Sequence, residues 1–545
     1  MPSFFKRQKQ KKNSQDQKEN NQDQSNNRLP EFMDGSLAAN LEIIKQKTGN
    51  SSDVVIRTLK IGNNSEIRTA IVYVEGIVDN QSIDDFLIES MTNNHDLQEK
   101  LIRQEALEII GEEAVALGSV KLVSNWDELL LSLMSGDTII LFDGTNKALS
   151  ASTRGGEKRS IQEPGTQMSV RGSRESFTES IGTNTAMVRR IIKNPDLWLE
   201  SMKIGTVTKT DVAIMYINGI VNDEIVEEVR KRLKRIDIDS ILESGYIEQL
   251  IEDQTMTTFP TLYHTERPDM VAGNLLEGRV AIFVDGTPFV LLAPAVFIQF
   301  FQSADDYYAR FDIATAIRSL RILIFFISLI GPAAYVAATT FHQEMIPTQL
   351  LIAIAAQREA VPFPAFIEAI IMEVAFEILR EAGIRLPKAI GSAVSIVGAL
   401  VIGQAAVQAG IVSPAMVIVV AITAIASFAT PSFAIAISAR LIRFLFMVSA
   451  ATFGFYGIIL GIIMMIVHLC SLRSFGVPYM SPLAPFIPAN AGDTIVRVPW
   501  WTLRQRPRLI GDKNNVRKGK NQRPQPPENR GMVNSNTEKG DRNES

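Results

Sequence analysis

The sequence predicts a multidomain protein: two repeated cytoplasmic α/β subdomains followed by a polytopic α-helical transmembrane domain. Three observations carry this. Of the 545 residues, those before about 285 are rich in Asp, Glu, Lys and Arg, whereas 320–472 is mostly apolar. The mean hydropathy of +0.09 describes neither part. Between Lys388 and Arg440 no residue is charged. That run holds two membrane helices of about 20 residues each, and Gly410 and Pro414 break the chain between them. Finally, segments recur at a nearly constant offset. Lys60-Ile-Gly62 returns as Lys203-Ile-Gly205, Ala70–Val78 as Ala213–Val221, and Phe142-Asp-Gly-Thr145 as Val284-Asp-Gly-Thr287. Such a period indicates two copies of one unit.

Bulk composition narrows the chemistry. The net charge is −4, which does not suit a nucleic-acid binder. The single cysteine, Cys470, excludes an intrachain disulfide and fits a soluble part in a reducing compartment. His95, His264, His342 and His468 are scattered without metal-ligand spacing, so no metal is expected. There is no Gly-x-Gly-x-x-Gly and no phosphate-loop lysine, so no cofactor and no enzyme activity are expected. The N-terminus has cations but no apolar core, unlike a signal peptide. The N-terminal half is therefore expected in the cytoplasm.

Residues 1–33, dominated by Gln, Asn, Lys and Asp, read as a disordered tail. The first subdomain spans 34–150. It starts with a helix over Leu37–Lys47 and a strand over Val54–Ile61. A strand at Ala70 leads to a helix capped by Ser82 or Asp84. A helix over Asn125–Met134 and a strand over Asp137–Thr145, ending in an Asp-Gly turn, complete it. Residues 151–177 are a linker, and 178–290 repeat the unit. Alternating strands and helices predict a mixed or parallel sheet covered by helices. Arg171, Arg174, Arg189 and Arg190 gather around Glu175 and Glu179, an inter-lobe ionic cluster read as clamping the lobes. The cleft between the lobes has two readings: a small-molecule site, or a structural and partner-docking module. The segment 291–319 is juxtamembrane: Pro288–Phe301 is apolar but too short to span, and Tyr307-Tyr308 suits a membrane boundary.

The transmembrane domain covers 320–505, with spans expected at 320–341, 389–408, 414–437 and 444–470 and four to six crossings in all. Arg310, Arg318 and Arg321 place the start of the first span in the cytoplasm. Gly391, Ser395, Ala399 and Gly403, spaced by four, and the pair Gly457 and Gly461 mark faces for close helix packing. The helix Phe363–Glu381 carries Glu368, Glu373, Glu377, Arg380 and Glu381. A carboxylate at mid-bilayer costs about 3 kcal/mol, so this helix lies at the interface, faces a polar cavity or pairs its charges. Two readings stay open: an acidic row lining a cation pore, or an interfacial helix with pairs such as Glu381 with Arg385. The cationic tail from Arg504 to Lys520 requires an even number of crossings if it shares the N-terminal side. Four crossings leave Arg440 and Arg443 outside; six, two of them short, is the other even solution. Residues 506–545 read as disordered.

Five stretches in order resemble the GerA family of spore germination proteins, specifically its A subunit. They are Val170–Glu179, Val284–Phe289, Gln302–Tyr308, Val361-Pro-Phe-Pro364 with the acidic helix, and Leu386–Gly391. The likeness covers about residues 35–505, and Ser173 departs from the proline expected in its Arg-Gly-Pro-Arg run. The resemblance implies a subunit of a nutrient germinant receptor, multi-pass in the spore inner membrane. Its implied partners are a permease-like B-type subunit that binds the germinant, a C-type lipoprotein, membrane lipid and further copies of itself. It also implies an oligomeric, nutrient-gated ion channel. The alternative is an accessory sporulation membrane protein of the same family, the stage V A-operon F type, modulating small-molecule release.

Overall fold

The computed structural model describes residues 32–61, 67–84, 120–156, 164–165, 167, 171–385, 401–511, 513–519 and 522–525. The tail 1–31 lies outside the described residues. Phe32 and Met33 already belong to the first lobe, where Met33 is buried.

The first lobe comprises α1 (Leu37–Lys47), β1 (Val54–Ile61), β2 (Ile67–Val74), β3 (Val120–Val123), α2 (Trp126–Met134), β4 (Thr138–Phe142) and β5 (Ala148–Ala151). The second comprises α3 (Ile181–Ile191), β6 (Leu197–Ile204), β7 (Thr210–Ile217), α4 (Asp223–Arg235), α5 (Ser244–Ile251), β8 (Tyr263–Thr265), α6 (Pro268–Leu276), β9 (Val280–Val284) and β10 (Val290–Ala293). The strand orders β1-β2-β4-β5-β3 and β6-β7-β9-β10-β8 are the same path. The repeat therefore extends to register: Val54 faces Val74 as Leu197 faces Ile217, and Thr69 faces Phe142 as Val212 faces Val284.

The expected mixed or parallel sheet is corrected, because every neighbouring strand pair is antiparallel. The α2 helix joins β3 to β4, which do not pair; β5 lies between them. A helix between two strands thus did not mean a parallel crossover. Tight Asp-Gly turns between β4 and β5 and between β9 and β10 enforce antiparallel pairing. Gly144 and Gly286 adopt φ +86° and +87°, where a side chain is disfavoured. In each turn the aspartate also caps the lobe's first helix. Asp143 Oδ1 accepts from Leu37 N, and Asp285 Oδ1 from Ile181 N, both at 3.1 Å. The helix expected after Ser82 or Asp84 begins at Asn80 instead, capped by Asp79, and its continuation lies outside the described residues.

The apolar bundle comprises α7 (Phe311–Thr340), α8 (Thr348–Arg358), α9 (Ala365–Arg385), a helical stretch over 401–408, α10 (Pro414–Phe428) and α11 (Phe433–Ser471). Two of these, α7 and α11, are long and apolar enough to cross a membrane. The span expected over 444–470 is corrected. Gly454, at φ 61° and ψ −143°, breaks α11 into two arms. Ser449 donates to Gly457 O at 2.9 Å, and Gly461 lies against Phe446, so the arms run antiparallel as a hairpin. At the open end Ser438 and His468, one on each arm, bond neighbouring Thr258 and Thr257. The expected 414–437 span also divides, because α10 stops at Phe428 and α11 begins at Phe433. Pro431, which lacks an N–H and restrains Thr430 before it, falls at this break.

One continuous core runs from the second lobe into the bundle, while the first lobe keeps its own. The joint is aromatic. Phe297 and Phe301 lie 5.1 Å apart, Phe301 sits 5.1 Å from Phe325 of α7, and Phe297 lies 6.0 Å from buried Tyr479. The apolar start of the segment 291–319 is therefore packed in protein, whereas Tyr308, Ile313 and Ile317 are exposed. Its β10 portion completes a sheet, and Phe300 and Phe301 are sealed inside protein. The end of the expected transmembrane domain is corrected too: after α11 the chain returns to the second lobe, where Tyr479 donates to Pro260 O. The expected disordered tail, described over 506–511, 513–519 and 522–525, docks on the second lobe through its first two stretches. Arg506 donates to Leu276 O at the C-terminus of α6, and Arg517 pairs with Glu277 at 2.9 Å. Free helix-end carbonyls attract such cations.

Candidate functional site

The acidic helix α9 turns its charges into its own bundle. Glu368 sits at its first turn, buried, pairing with Arg358 at 3.3 Å and accepting from Ser413 N at 2.9 Å. Glu373 meets Arg443 of α11 at 2.6 Å, their side chains 1% and 2% exposed. Arg443 also donates to Ser328 O of α7 at 2.6 Å. One turn on, Glu377 meets Arg440 at 2.8 Å. Arg380 donates to Ser427 Oγ of α10, and exposed Glu381 pairs with Arg385 at 2.6 Å. Within this chain Glu368 and Glu373 therefore neither line an open lumen nor lie on an exposed face. Three helices are pinned at one level by a single ion pair. Breaking such a buried pair costs about 3–5 kcal/mol, because the survivor stays charged and enclosed.

The pairs also set direction. Glu373 to Glu377 advances along α9 while Arg443 to Arg440 retreats along α11, so α9 is antiparallel to the first arm of α11. Glu368 lies near Ser413 and Arg380 near Ser427, so α9 and α10 run together. Gly391, Ser395 and Ala399 lie outside the described residues, whereas Gly403 packs against Val417 of α10. Gly457 and Gly461 serve the hairpin, each facing its opposite arm.

At the lobe end of the bundle lies a second ionic knot. Arg318 of α7, with 0% of its side chain exposed, reaches Asp306 at 3.2 Å and Asp493 at 3.0 Å. Asp306 also takes Arg321 at 2.8 Å, and Tyr307 donates to Asp493 at 3.0 Å. Burial raises Asp493 above the usual carboxylate range in spite of Arg318. Arg318 and Arg321, expected as flanking cations of the first span, are thus neutralised by protein. Tyr307 is locked into this knot, and Tyr308 donates to Asp269 of the second lobe.

Arg189, one of the arginines read into the inter-lobe cluster, ties the two lobes together. Arg189, 1% exposed, binds Asp53 of the first lobe through two bonds of 2.7 and 2.9 Å and donates to Leu197 O. Arg171 contributes its backbone N–H to Asp305, and Glu179 its carbonyl to Gly286 N at 2.8 Å. Glu175 donates its N–H to Ser173 Oγ, and the exposed Arg174 lies between them. A cavity of about 380 Å³ lies between the lobes, lined by Asp53, Glu75, Thr183, Arg190 and Asp211 among others. The sequence offered little sign of the partners Asp53, Asp306, Asp493 and Arg443. The one available cue was spacing: Arg440 and Arg443, three apart in an apolar run, match Glu373 and Glu377, four apart.

A model of the Bacillus/Clostridium GerA spore germination protein family matches residues 42–509. The chain is 64% identical over 514 residues to spore germination protein KA of Bacillus subtilis (strain 168), covering 94% of each. It is 47% identical over 498 residues to the uncharacterized membrane protein YfkQ of the same organism, covering 91% of this chain and 95% of the relative. It also resembles the crystal structure of the N-terminal domain of the A subunit of the Bacillus megaterium spore germinant receptor GerK3. That likeness has a TM-score of 0.41 at 60% identity and covers 50% of this chain and 100% of that one. The chain belongs to the GerA family of spore germination proteins.

Proposed function

We propose that this protein is the A-type subunit of a nutrient germinant receptor in the spore inner membrane. Its lobes face the cytoplasm, and its bundle spans the bilayer in six crossings. Family membership supports the role. Helix directions support the crossings: α7 and the first α11 arm run away from the lobes, and α9, α10 and the second α11 arm return. The helical stretch 401–408, packed on α10 through Gly403 and Val417, supports counting a sixth. Six is even, so both ends of the chain share one side, and Arg440 and Arg443 need no aqueous exposure. A B-type permease-like subunit and a C-type lipoprotein complete the receptor, and several copies of this chain form the ion path.

The single observation that carries the mechanism is the continuous core joining the second lobe to the bundle. A force on the lobes then reaches the helices without a flexible tether. The test is germinant-triggered cation release from spores. Removing this chain is expected to abolish release for one class of nutrient, and the wild-type gene to restore it. Unchanged release with every nutrient tried would contradict the receptor role. The variant Glu377→Gln is expected to leave ion selectivity unaltered, since Glu377 answers Arg440; a changed selectivity would return it to the pore.

A further inference from the structure

Among the described residues, one bundle cation has no carboxylate within ion-pair distance. Glu368, Glu373, Glu377 and Glu381 are matched by Arg358, Arg443, Arg440 and Arg385. Arg380 is not matched among the described residues. It is 8% exposed, donates to Ser427 Oγ at 3.2 Å and lies 4.5 Å over the Phe428 ring. Residues 386–400, which follow α9, contain no Asp or Glu, so they bring no counter-charge. Glu377, one turn back, already answers Arg440. Thr430, two residues beyond Phe428, buries a hydroxyl oxygen that has no hydrogen-bond partner. Among the described residues, the C-terminal end of α10 thus has beside it one guanidinium outside any ion pair, with Glu377 acting on it only at longer range, and one hydroxyl without a hydrogen bond. A buried charge left in that state is costly.

Depth indicates what meets it. Arg443 is eleven residues from the hairpin tip at Gly454, about 17 Å along a helix. Arg380 lies seven residues beyond Glu373 on the antiparallel α9, about 10 Å further from that tip. The total of about 27 Å is close to the thickness of a hydrocarbon core, about 30 Å. With the hairpin tip set at the far face of that core, as the spanning reading has it, Arg380 falls at the phosphate level of the leaflet nearest the lobes. A guanidinium presents a planar fork of donors that matches two oxygens of a phosphate.

We propose that Arg380, with Ser427 and Thr430, forms a binding site for a phosphate group at the lobe-side rim, filled by the headgroup of an anionic phospholipid. The site rests on the membrane-spanning reading given above. It ties the ends of α9 and α10 to lipid, so membrane charge acts on the helix that carries the ion pairs.

The experiment uses the full chain in vesicles of phosphatidylcholine alone or mixed equally with phosphatidylglycerol. The readouts are thermal midpoint and lipid retained on detergent extraction, measured by native mass spectrometry. Wild type is expected to retain phosphatidylglycerol and to melt higher in the mixed vesicles. Arg380→Gln is expected to lose retention about tenfold or more, Arg380→Lys to keep part of it, and Ser427→Ala to lose less than Arg380→Gln. If Arg380→Gln does not fold, the Lys and Ala variants carry the comparison. A second arm titrates inorganic phosphate onto the detergent-solubilised chain. A midpoint rise there that needs Arg380, without any lipid effect, keeps the phosphate site but assigns it to a soluble anion. Equal retention by wild type and Arg380→Gln, or no response in either arm, overturns the proposal. Failure of the spanning reading shows separately, as release of the chain from vesicles by alkaline carbonate.

Discussion

Replacing Glu373 by Gln removes the carboxylate that answers Arg443 in the middle of the bundle. The guanidinium stays enclosed, its side chain 2% exposed, with Ser328 O as its remaining partner. Losing one member of a buried pair costs about 3–5 kcal/mol. Two details place this site at the lower end. Gln can still donate or accept near Arg443, and Glu373 Oε1 and Arg443 Nη2 already lack partners in the intact pair. The expected loss is therefore about 3 kcal/mol. Replacing both residues by apolar ones of similar volume, Glu373→Leu with Arg443→Met, is expected to restore stability to within about 1 kcal/mol of wild type. With Glu373→Leu and Arg443→Met as the singles, the first costing at least as much as Glu373→Gln, the coupling across the cycle is at least about 2 kcal/mol. The assay is reversible unfolding of the full chain in mixed micelles, read by circular dichroism. A single variant within about 0.5 kcal/mol of wild type, or a double variant worse than either single, would refute a structural pair at Glu373.

Three further outcomes follow from the geometry. Gly454→Ala is expected to destabilise by about 1–3 kcal/mol, lowering the thermal midpoint, because φ is positive there and the added carbon meets His342 and Phe341 at under 3 Å. Arg189→Met is expected to cost about 3–5 kcal/mol and to split thermal unfolding in two, the first lobe melting early once Asp53 loses its partner. Glu248 of α5 is pushed up to about 7 by burial and by the nearby Glu252 and Glu243, with His264 facing it at 3.9 Å. Its folded-state pKa is above its unfolded one, so its contribution is full at low pH and lost as pH rises through about 7. Glu248→Gln is expected to stabilise by roughly 2–3 kcal/mol at pH 8 and to change little at pH 4, measured as melting midpoint against pH.

The elements built from short-range patterning were legible in the sequence. Leu37–Lys47 and Val54–Ile61 fall where capping and alternation place them, and the Asp-Gly turns mark the same corner of both lobes. Strand pairing was not, since nothing local distinguishes an α2 that joins two non-neighbouring strands from a parallel crossover. The hairpin in α11 was hidden because Gly454 sits inside an unbroken apolar run and resembles any small packing residue. The bundle site was half visible. Its acids stand out in apolar surroundings, but the cations that answer Glu368, Glu373 and Glu377 lie 10 to 70 residues away in the chain. The docked tail was missed because polar, proline-rich composition mimics disorder, while its order rests on a few cations meeting Glu277 and helix-end carbonyls.

The folded-back α11 is the feature on which the crossing count and the depth of every bundle charge depend. The direct measurement is a spin-label distance between Ile437→Cys and Val467→Cys in the full chain, with Cys470→Ser removing the native thiol. Both positions are exposed. A hairpin of packed arms predicts a separation below about 20 Å. A continuous helix through Gly454 would place the labels about 45 Å apart, and that result would contradict the account.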